Sequence, residues 1–406
     1  MNTKTTKSRT GNESPDWMRD VSPEMEIILL CIGAMREGTA AVEEKLKKGI
    51  DWTKLEKLAL DHKVLPLLYN RLSALPDAAL SREAINRINS IYKLNALRNL
   101  RLSQSLLRLL DLLSENKIEA IPFKGPVLAV QAYGDLSLRT ISDLDFLVHT
   151  EDFPAIYDMM IRSGAQSTFP LDEKMKEYCR LFRRDLGFND SVSWIDFHHR
   201  FTQGPARISL GERVWQNKKT IALLDREIPV LSPEHALLCT CMNGTKENWR
   251  YLRSLADITH LISRHTDLDW GTLIADAEKI GCLRMLQIGL HLCRQVGALE
   301  LSKEIPVFRR RQGRVEKLAG KYFRKMLKGD SKPNKWQGTT ALLESLDSVV
   351  PRVSLLVDFL FVPTPSDWMM IKLPLFFRHL YYIVRPMRLF SRLIARSINR
   401  FFRHCH

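Results

Sequence analysis

No stretch of this chain restricts its fold more than Ser142-Asp143-Leu144-Asp145-Phe146-Leu147-Val148, where two acids around a leucine give way to an unbroken apolar run. The apolar half asks for a buried strand. Successive side chains on a strand point to opposite faces, so Asp143 and Asp145 project to the same face and converge on one spot. Partners for such a strand are legible nearby. Ile118 to Phe123 is a short strand-like run ending at Lys124-Gly125, and a helix-sized stretch follows to Tyr133. Glu151 to Ser163 fits a helix, and Asn189-Asp190, between Leu181 to Phe188 and Val192 to His199, suggests a β-hairpin. A small sheet of about four or five strands is expected.

On both sides the apolar period is helical. Leu55, Leu58, Leu65 and Leu68, then Ile85, Ile88, Ile91 and Leu94, recur near helical spacing. Pro66 and Pro76 punctuate this part, whereas Glu83 to Ser114 lacks proline and glycine and predicts a single long helix. Ser232-Pro233-Glu234 is a helix start, with serine as N-cap and proline in the first turn. The expected division is a disordered N-terminus (1–20), a helical region (21–116), an α/β core (117–231), a helical domain (232–304), a basic connector region (305–350) dense in Lys and Arg from Arg309 to Lys335, and a basic, aromatic C-terminal helical tail (351–406). There is no internal repeat.

With 406 residues, 45% of them hydrophobic, the chain is long enough for two or three modest cores. Its seven cysteines have neither zinc-site spacing nor the density of a disulfide scaffold, and the Cys239-x-Cys241 pair reads as helix packing; a reducing cytoplasm is the expected compartment. No signal peptide is expected, and no uncharged run reaches the roughly 18 residues needed to span a bilayer. A net charge of +15 favours an anionic partner and leaves nucleotide, nucleic acid and an acidic membrane face open.

Convergent carboxylates suit hard cations such as magnesium, which takes oxygen ligands and bridges carboxylates to substrate phosphates. Asp196, in Trp194-Ile195-Asp196-Phe197-His198, is the candidate third carboxylate; it shares its strand face with Trp194 and His198. The alternative for Asp196 is a salt bridge to Arg139. His198 and His199 are left out of the metal set because magnesium prefers oxygen. Lys124-Gly125, where a strand gives way to a helix, is placed to approach phosphate, since glycine admits the backbone closely and a helix start offers free N–H groups. Arg139 is read either as a bidentate phosphate clamp or as the partner of one of the aspartates.

Lys124-Gly125, Tyr133, Arg139 and Ser142-Asp143-Leu144-Asp145 resemble the signature of the uncharacterised nucleotidyltransferase family within the polymerase-β-like superfamily. Further segments are similar to the family in the same order: Leu65-Pro66-Leu67-Leu68-Tyr69, Ile195-Asp196-Phe197-His198, Trp249-Arg250-Tyr251-Leu252, Leu255-Ala256-Asp257-Ile258, and Leu380 to Pro386. The resemblance runs from about Met25 to Arg388. It implies an α+β fold: a polymerase-β-like nucleotidyltransferase core, a small mixed sheet with helices, embedded between helical N-terminal and C-terminal segments. It further implies transfer of a nucleoside monophosphate from a triphosphate, with ATP the leading candidate, to a hydroxyl of an unidentified acceptor. Asp143, Asp145 and Asp196 would be catalytic and hold magnesium or manganese, and Lys124, Gly125, Arg139 and Ser142 would bind the nucleotide. Lys-Gly stands where better-studied members of the superfamily have Gly-Ser, a departure that resembles the toxin-type nucleotidyltransferases of bacterial abortive-infection systems. The family likeness also makes the region of Lys246, Trp249 and Asp257 a candidate wall for base or acceptor. Against that, Trp249 reads as core packing and Asp257 as a cap or as the partner of a nearby arginine such as Arg253.

The alternative function is a non-catalytic nucleotide-binding or regulatory module recruited to nucleic acid or membrane through its basic tail. Arg388, Arg392, Arg396 and Arg400 follow one another at i, i+4 on an amphipathic helix. Two placements suit it, an anionic membrane surface or nucleic acid on one side, docking on the protein's own helices with solvated arginines on the other. The first would make a cytoplasmic protein peripheral at the membrane.

Overall fold

A computed structural model describes residues 21–33, 38–76, 80–170, 172–182, 185–200, 210–296, 306–308, 313–328 and 335–404. The expectation of disorder over 1–20 lies outside these residues. Helices α1 (Pro23–Ile32), α2 (Gly38–Lys47), α3 (Trp52–Asp61), α4 (Leu65–Leu72) and α5 (Arg82–Glu115) precede the sheet. Ser22, Asp51 and Ser81 start α1, α3 and α5 by accepting a hydrogen bond from the backbone N–H three residues on. The sheet region holds β1 (Ala120–Phe123), α6 (Gly125–Tyr133), β2 (Asp143–Val148), α7 (Phe153–Arg162), β3 (Gln166–Ser167), α8 (Glu173–Leu181), β4 (Leu186–Asn189), β5 (Trp194–His198), α9 (Glu212–Gln216), β6 (Lys219–Leu223) and β7 (Arg226–Val230). Then follow α10 (Pro233–Lys246), α11 (Leu252–Arg264), α12 (Trp270–Lys279), α13 (Leu283–Gln295), α14 (Gly313–Leu327), α15 (Lys335–Ser345), α16 (Val349–Phe361), α17 (Pro365–Met370) and α18 (Tyr381–His404).

The architecture is α+β, with a small mixed sheet of order β1-β2-β5-β4-β3 and a separate β6-β7 hairpin. β1 runs antiparallel to β2, β2 parallel to β5, and β4 antiparallel to β5. The register sets Asp145 beside Asp196 and Phe123 beside Asp145, so the acidic end of β2 lies next to the turn that leaves β1.

Two hydrophobic cores meet along α5. Ile88 belongs to a helical core shared by α1, α3, α4, α10, α11 and α13, whereas Leu102, Leu106, Leu109 and Leu113, at 4-3-4 spacing on one helix face, pack on the sheet. The helices before the sheet and those after it are thus sewn into a single core, and the sheet's acidic end opens where the two cores adjoin. Residues 313–327, expected within a basic connector, form α14. Its Val315, Leu318, Ala319, Tyr322, Phe323 and Met326 fall at 3-1-3-1-3 spacing and bury a stripe in the helical core while its lysines and arginines take the other faces.

At the C-terminal end, α16 packs beside α18. The stretch Val349–Met370 is long and apolar enough, by length and composition, to cross a membrane, and little of it is buried. Arg352, Asp358 and Asp367 interrupt it, and the helix breaks between Phe361 and Pro365.

Candidate active site

The site is built around the β1–α6 turn. Lys124 has φ 62° and ψ −148°, a conformation that glycine alone adopts readily, and Gly125 follows at φ +43°. A Cβ on Gly125 would lie 3.1 Å from the Asp143 carbonyl oxygen, so the turn can press against the start of β2 only with glycine there. The Lys124 ammonium donates to Asp145 Oδ1 at 3.1 Å.

Asp145 is buried, and its two oxygens differ. Oδ1 takes Lys124 and also His198 Nε2 at 2.8 Å; Oδ2 is buried with no hydrogen-bond partner. Burial alone would push this carboxyl up, but Lys124 and His198 outweigh it and hold Asp145 well below the usual carboxylate range. His198 Nδ1 lies 3.2 Å from Asp185 Oδ2. Burial disfavours its imidazolium, yet Asp185 and Asp145 together raise the pKa to about 9. Asp196, next to Asp145 on the parallel strand, is shifted the other way: burial raises its pKa, and Asp145, Asp143 and Asp185 add to that against His198. Gly187 on β4 makes room for it, since a Cβ there would stand 2.9 Å from Asp196 Oδ1. Asp143 accepts from Ser142 Oγ at 2.9 Å. Oxygen or nitrogen atoms of Asp145, Asp196 and His198 all lie within 4.8 Å of one another.

Lys124, Gly125, Ser142, Asp143, Asp145, Asp196 and His198 line one cavity of about 170 Å³, walled by Lys63 from the turn after α3, by Thr240, Asn243, Lys246 and Glu247 of the second half of α10 and its end, and by Arg253, Ser254 and Asp257 of α11. Its charges sort into spoken-for and waiting. Arg139 grips Asp257 through Nε and a terminal nitrogen at 3.0–3.1 Å, and Tyr133 donates to the same carboxylate at 2.8 Å. Arg253 donates to the Thr140 carbonyl at 3.2 Å and lies 3.7 Å from Glu247. Lys63 sits over the Tyr251 ring at 4.2 Å. Its ammonium and that of Lys246 are both held below the usual lysine pKa, by burial first and then by the neighbouring cations Arg253 and Lys124 respectively. Two desolvated ammoniums lining the same cavity as Asp143 and Asp196 suit a ligand that is itself anionic.

The cavity brings together every residue expected from the sequence: Lys124, Gly125, Arg139, Ser142, Asp143, Asp145 and Asp196. Two pairings differ. Arg139 is bound neither to Asp143, Asp145 nor Asp196; the fork of its guanidinium is taken by Asp257, 118 residues further along, which is therefore not the partner of Arg253. Trp249 is fully buried in a slot opened by Gly244 and Gly289, in keeping with a packing role. His198, left out on the ground of metal preference, is instead the group that orients Asp145, while Asp185 and Lys63 had no motif to flag them.

The sequence profile of the family described as "Uncharacterised nucleotidyltransferase" matches residues 48–297, which include every wall of this cavity. No curated protein matches the chain. Among solved structures the chain is similar to the crystal structure of an antigenic nucleotidyltransferase-like protein from Paracoccidioides brasiliensis, at 11% identity over 54% of this chain and 97% of that one, with a TM-score of 0.26.

Proposed function

We propose, for a chain that belongs to the uncharacterised nucleotidyltransferase family, that this cavity transfers a nucleoside monophosphate from a nucleoside triphosphate, ATP in the first instance, to a hydroxyl of an acceptor. The observation that carries the reading is the in-register placement of Asp145 beside Asp196, with Asp143 two residues back, in one cavity with the Lys124-Gly125 turn, Lys63 and Lys246.

The donor set suits a hard divalent cation: carboxylate oxygens close together, one of them, Asp145 Oδ2, buried without a partner. Asp143, Asp145 and Asp196 would hold magnesium or manganese, which when bound supplies charge neutralisation at the triphosphate and a more acidic acceptor hydroxyl. His198, kept cationic by Asp185, fixes the Asp145 carboxylate from behind. Lys124, with Lys63 and Lys246, takes the triphosphate oxygens, and the open start of α6 accepts a phosphate close to Gly125. Arg139, locked on Asp257, acts as a strut that holds α11 against the start of β2 and orders the cavity wall. The acceptor oxygen attacks the α-phosphorus, the bond to the bridging oxygen of the β-phosphate breaks, and pyrophosphate leaves; Asp196, whose carboxyl is raised by burial, would take the acceptor's proton. Positioning and charge stabilisation account for most of the rate.

Pyrophosphate release from each of the four NTPs with magnesium or manganese, in the presence of cell extract as acceptor source, tests this. Asp145→Asn and Asp196→Asn should each lower it by on the order of a hundredfold or more while the fold is kept; wild-type rates in both would remove the assignment. One observation favours a second reading, a nucleotide-binding module without turnover: Lys124 and His198 already neutralise Asp145. Metal-dependent NTP binding with no pyrophosphate released from any of the four would select it.

A further inference from the structure

Helices α16 to α18 differ from the rest of the molecule in what they show to solvent. Of the 28 large hydrophobic residues exposed among the described residues, 18 lie between Val349 and Phe390, on helices that pack on one another, rather than in the scatter normal on a soluble surface. Phe376 is 85% exposed, and Met387 and Phe390 are each 66% exposed.

The face is not a frayed end. Asp367, fully buried, is gripped by Arg385 and Arg388, which ties α17 to α18. The Tyr381 hydroxyl donates to the Ile371 carbonyl at 2.6 Å and accepts the Leu373 N–H at 3.0 Å, fixing the link between those helices. Trp368 and Tyr381 are buried against Tyr178 of α8 in the sheet core. The apolar residues are therefore held outward by an ordered frame.

Within these helices cations outnumber acids. Between residues 349 and 392 the acids are Asp358 and Asp367, half-buried and buried, whereas Arg392 is exposed, Arg378 is half-exposed, and Lys372 is exposed with Asp172 at the start of α8 at 3.9 Å. A second copy of this chain would set these cations against one another, and a nucleic acid would leave the phenylalanines and methionines in water. An anionic phospholipid surface satisfies both, taking the apolar side chains below its headgroups and the cations among them. α16 has 13 residues, a length of about 20 Å at 1.5 Å per residue against a hydrocarbon core of roughly 30 Å, so it lies in the interface rather than across it.

We infer that α16–α18 form a monotopic docking face for an anionic phospholipid bilayer, an inference independent of the chemistry assigned to the cavity. The face differs from the arginine row expected at Arg388, Arg392, Arg396 and Arg400: Arg388 is spent on Asp367 inside the protein, and the side chains of Arg396 and Arg400 lie outside the described residues.

The full chain should co-sediment with vesicles of phosphatidylcholine and phosphatidylglycerol, more weakly with phosphatidylcholine alone, and less as salt is raised. Phe376→Asp with Met387→Asp, both on exposed side chains, should reduce the partition coefficient by on the order of tenfold or more with an unchanged circular dichroism spectrum and melting temperature. Lys372→Glu should reduce binding to the anionic vesicles only. Absence of binding to either vesicle, or binding indifferent to the double substitution, overturns the inference. So does a stable dimer that the same double substitution disperses in light scattering, since a second copy would then be the occupant.

Discussion

Lys124 holds a backbone conformation that costs about 1–3 kcal/mol in a residue with a side chain, and it does so beside the carboxylate it neutralises. The cation is kept there, and the strain with it. Lys124→Gly and Lys124→Ala both remove the cation and differ only in the Cβ. The glycine variant should therefore be the more stable by about 1 kcal/mol or more in denaturant titrations, although alanine is ordinarily favoured at an unstrained site. Equal stability would mean that the turn is not strained. Gly187 makes a second case at this scale. Gly187→Ala should displace the Asp196 carboxylate, whose Oδ1 lies 2.9 Å from where the new methyl group would stand, and lower transfer without loss of fold. A variant with wild-type kinetics would show that the orientation of Asp196 is not critical. His198 and Asp185 show why such a site is only partly legible in a sequence: the parity of Asp196 and His198 is written in the strand, but that Asp185 reaches His198 depends on how the chain enters β4, which no local pattern encodes.

At the scale of elements, local signals served best where a segment is governed by its own periodicity. The proline-free run predicted over Glu83–Ser114 is α5, Ser232-Pro233 does start α10, and the acidic strand, its antiparallel neighbour and the β4–β5 hairpin lie where the alternation places them. The β6–β7 hairpin was not legible, because its turn at Leu224-Asp225 puts a leucine at φ 54°, a conformation its residue type argues against. The Arg139–Asp257 strut joins elements 118 residues apart, so the nearer Arg253 looked the better partner. Packing between elements is tight enough to test. On α13, a Cβ at Gly289 would meet Cys241 Sγ and the Trp249 ring, each at 2.8 Å, so Gly289→Ala should destabilise the protein by about 1–3 kcal/mol in spite of the better helix propensity of alanine. A stabilised variant would contradict the slot described for Trp249. The helices on either side of the cavity also carry a pH dependence. Burial lowers His62 and His260 from 6.5 to about 4, so both stay neutral in the folded protein while the unfolded chain protonates near 6.5. Their contribution is complete above pH 6.5 and is lost as the pH falls toward 4. Stability should decline across that window, and His260→Gln should make the decline shallower; an unchanged slope would mean that His260 is not buried neutral.

For the whole molecule, the arrangement of cores explains why the cavity needs chain from three regions. Lys63 comes from before the sheet, the carboxylates from within it, and Lys246 and Arg253 from after it, and the shared helical core holds the first and last against the middle. The C-terminal face then turns a separate, apolar side of the molecule outward. Whether the carboxylate cavity moves a nucleotidyl group is decided by where a label goes. An NTP labelled in the α-phosphate, incubated with the chain, magnesium and cell extract, should give a labelled acceptor; the same NTP labelled in the γ-phosphate should give none, and Asp145→Asn should give neither. Label that passes from the γ-position, or passes from the α-position as readily with Asp145→Asn as with wild type, would contradict nucleotidyl transfer by the cavity.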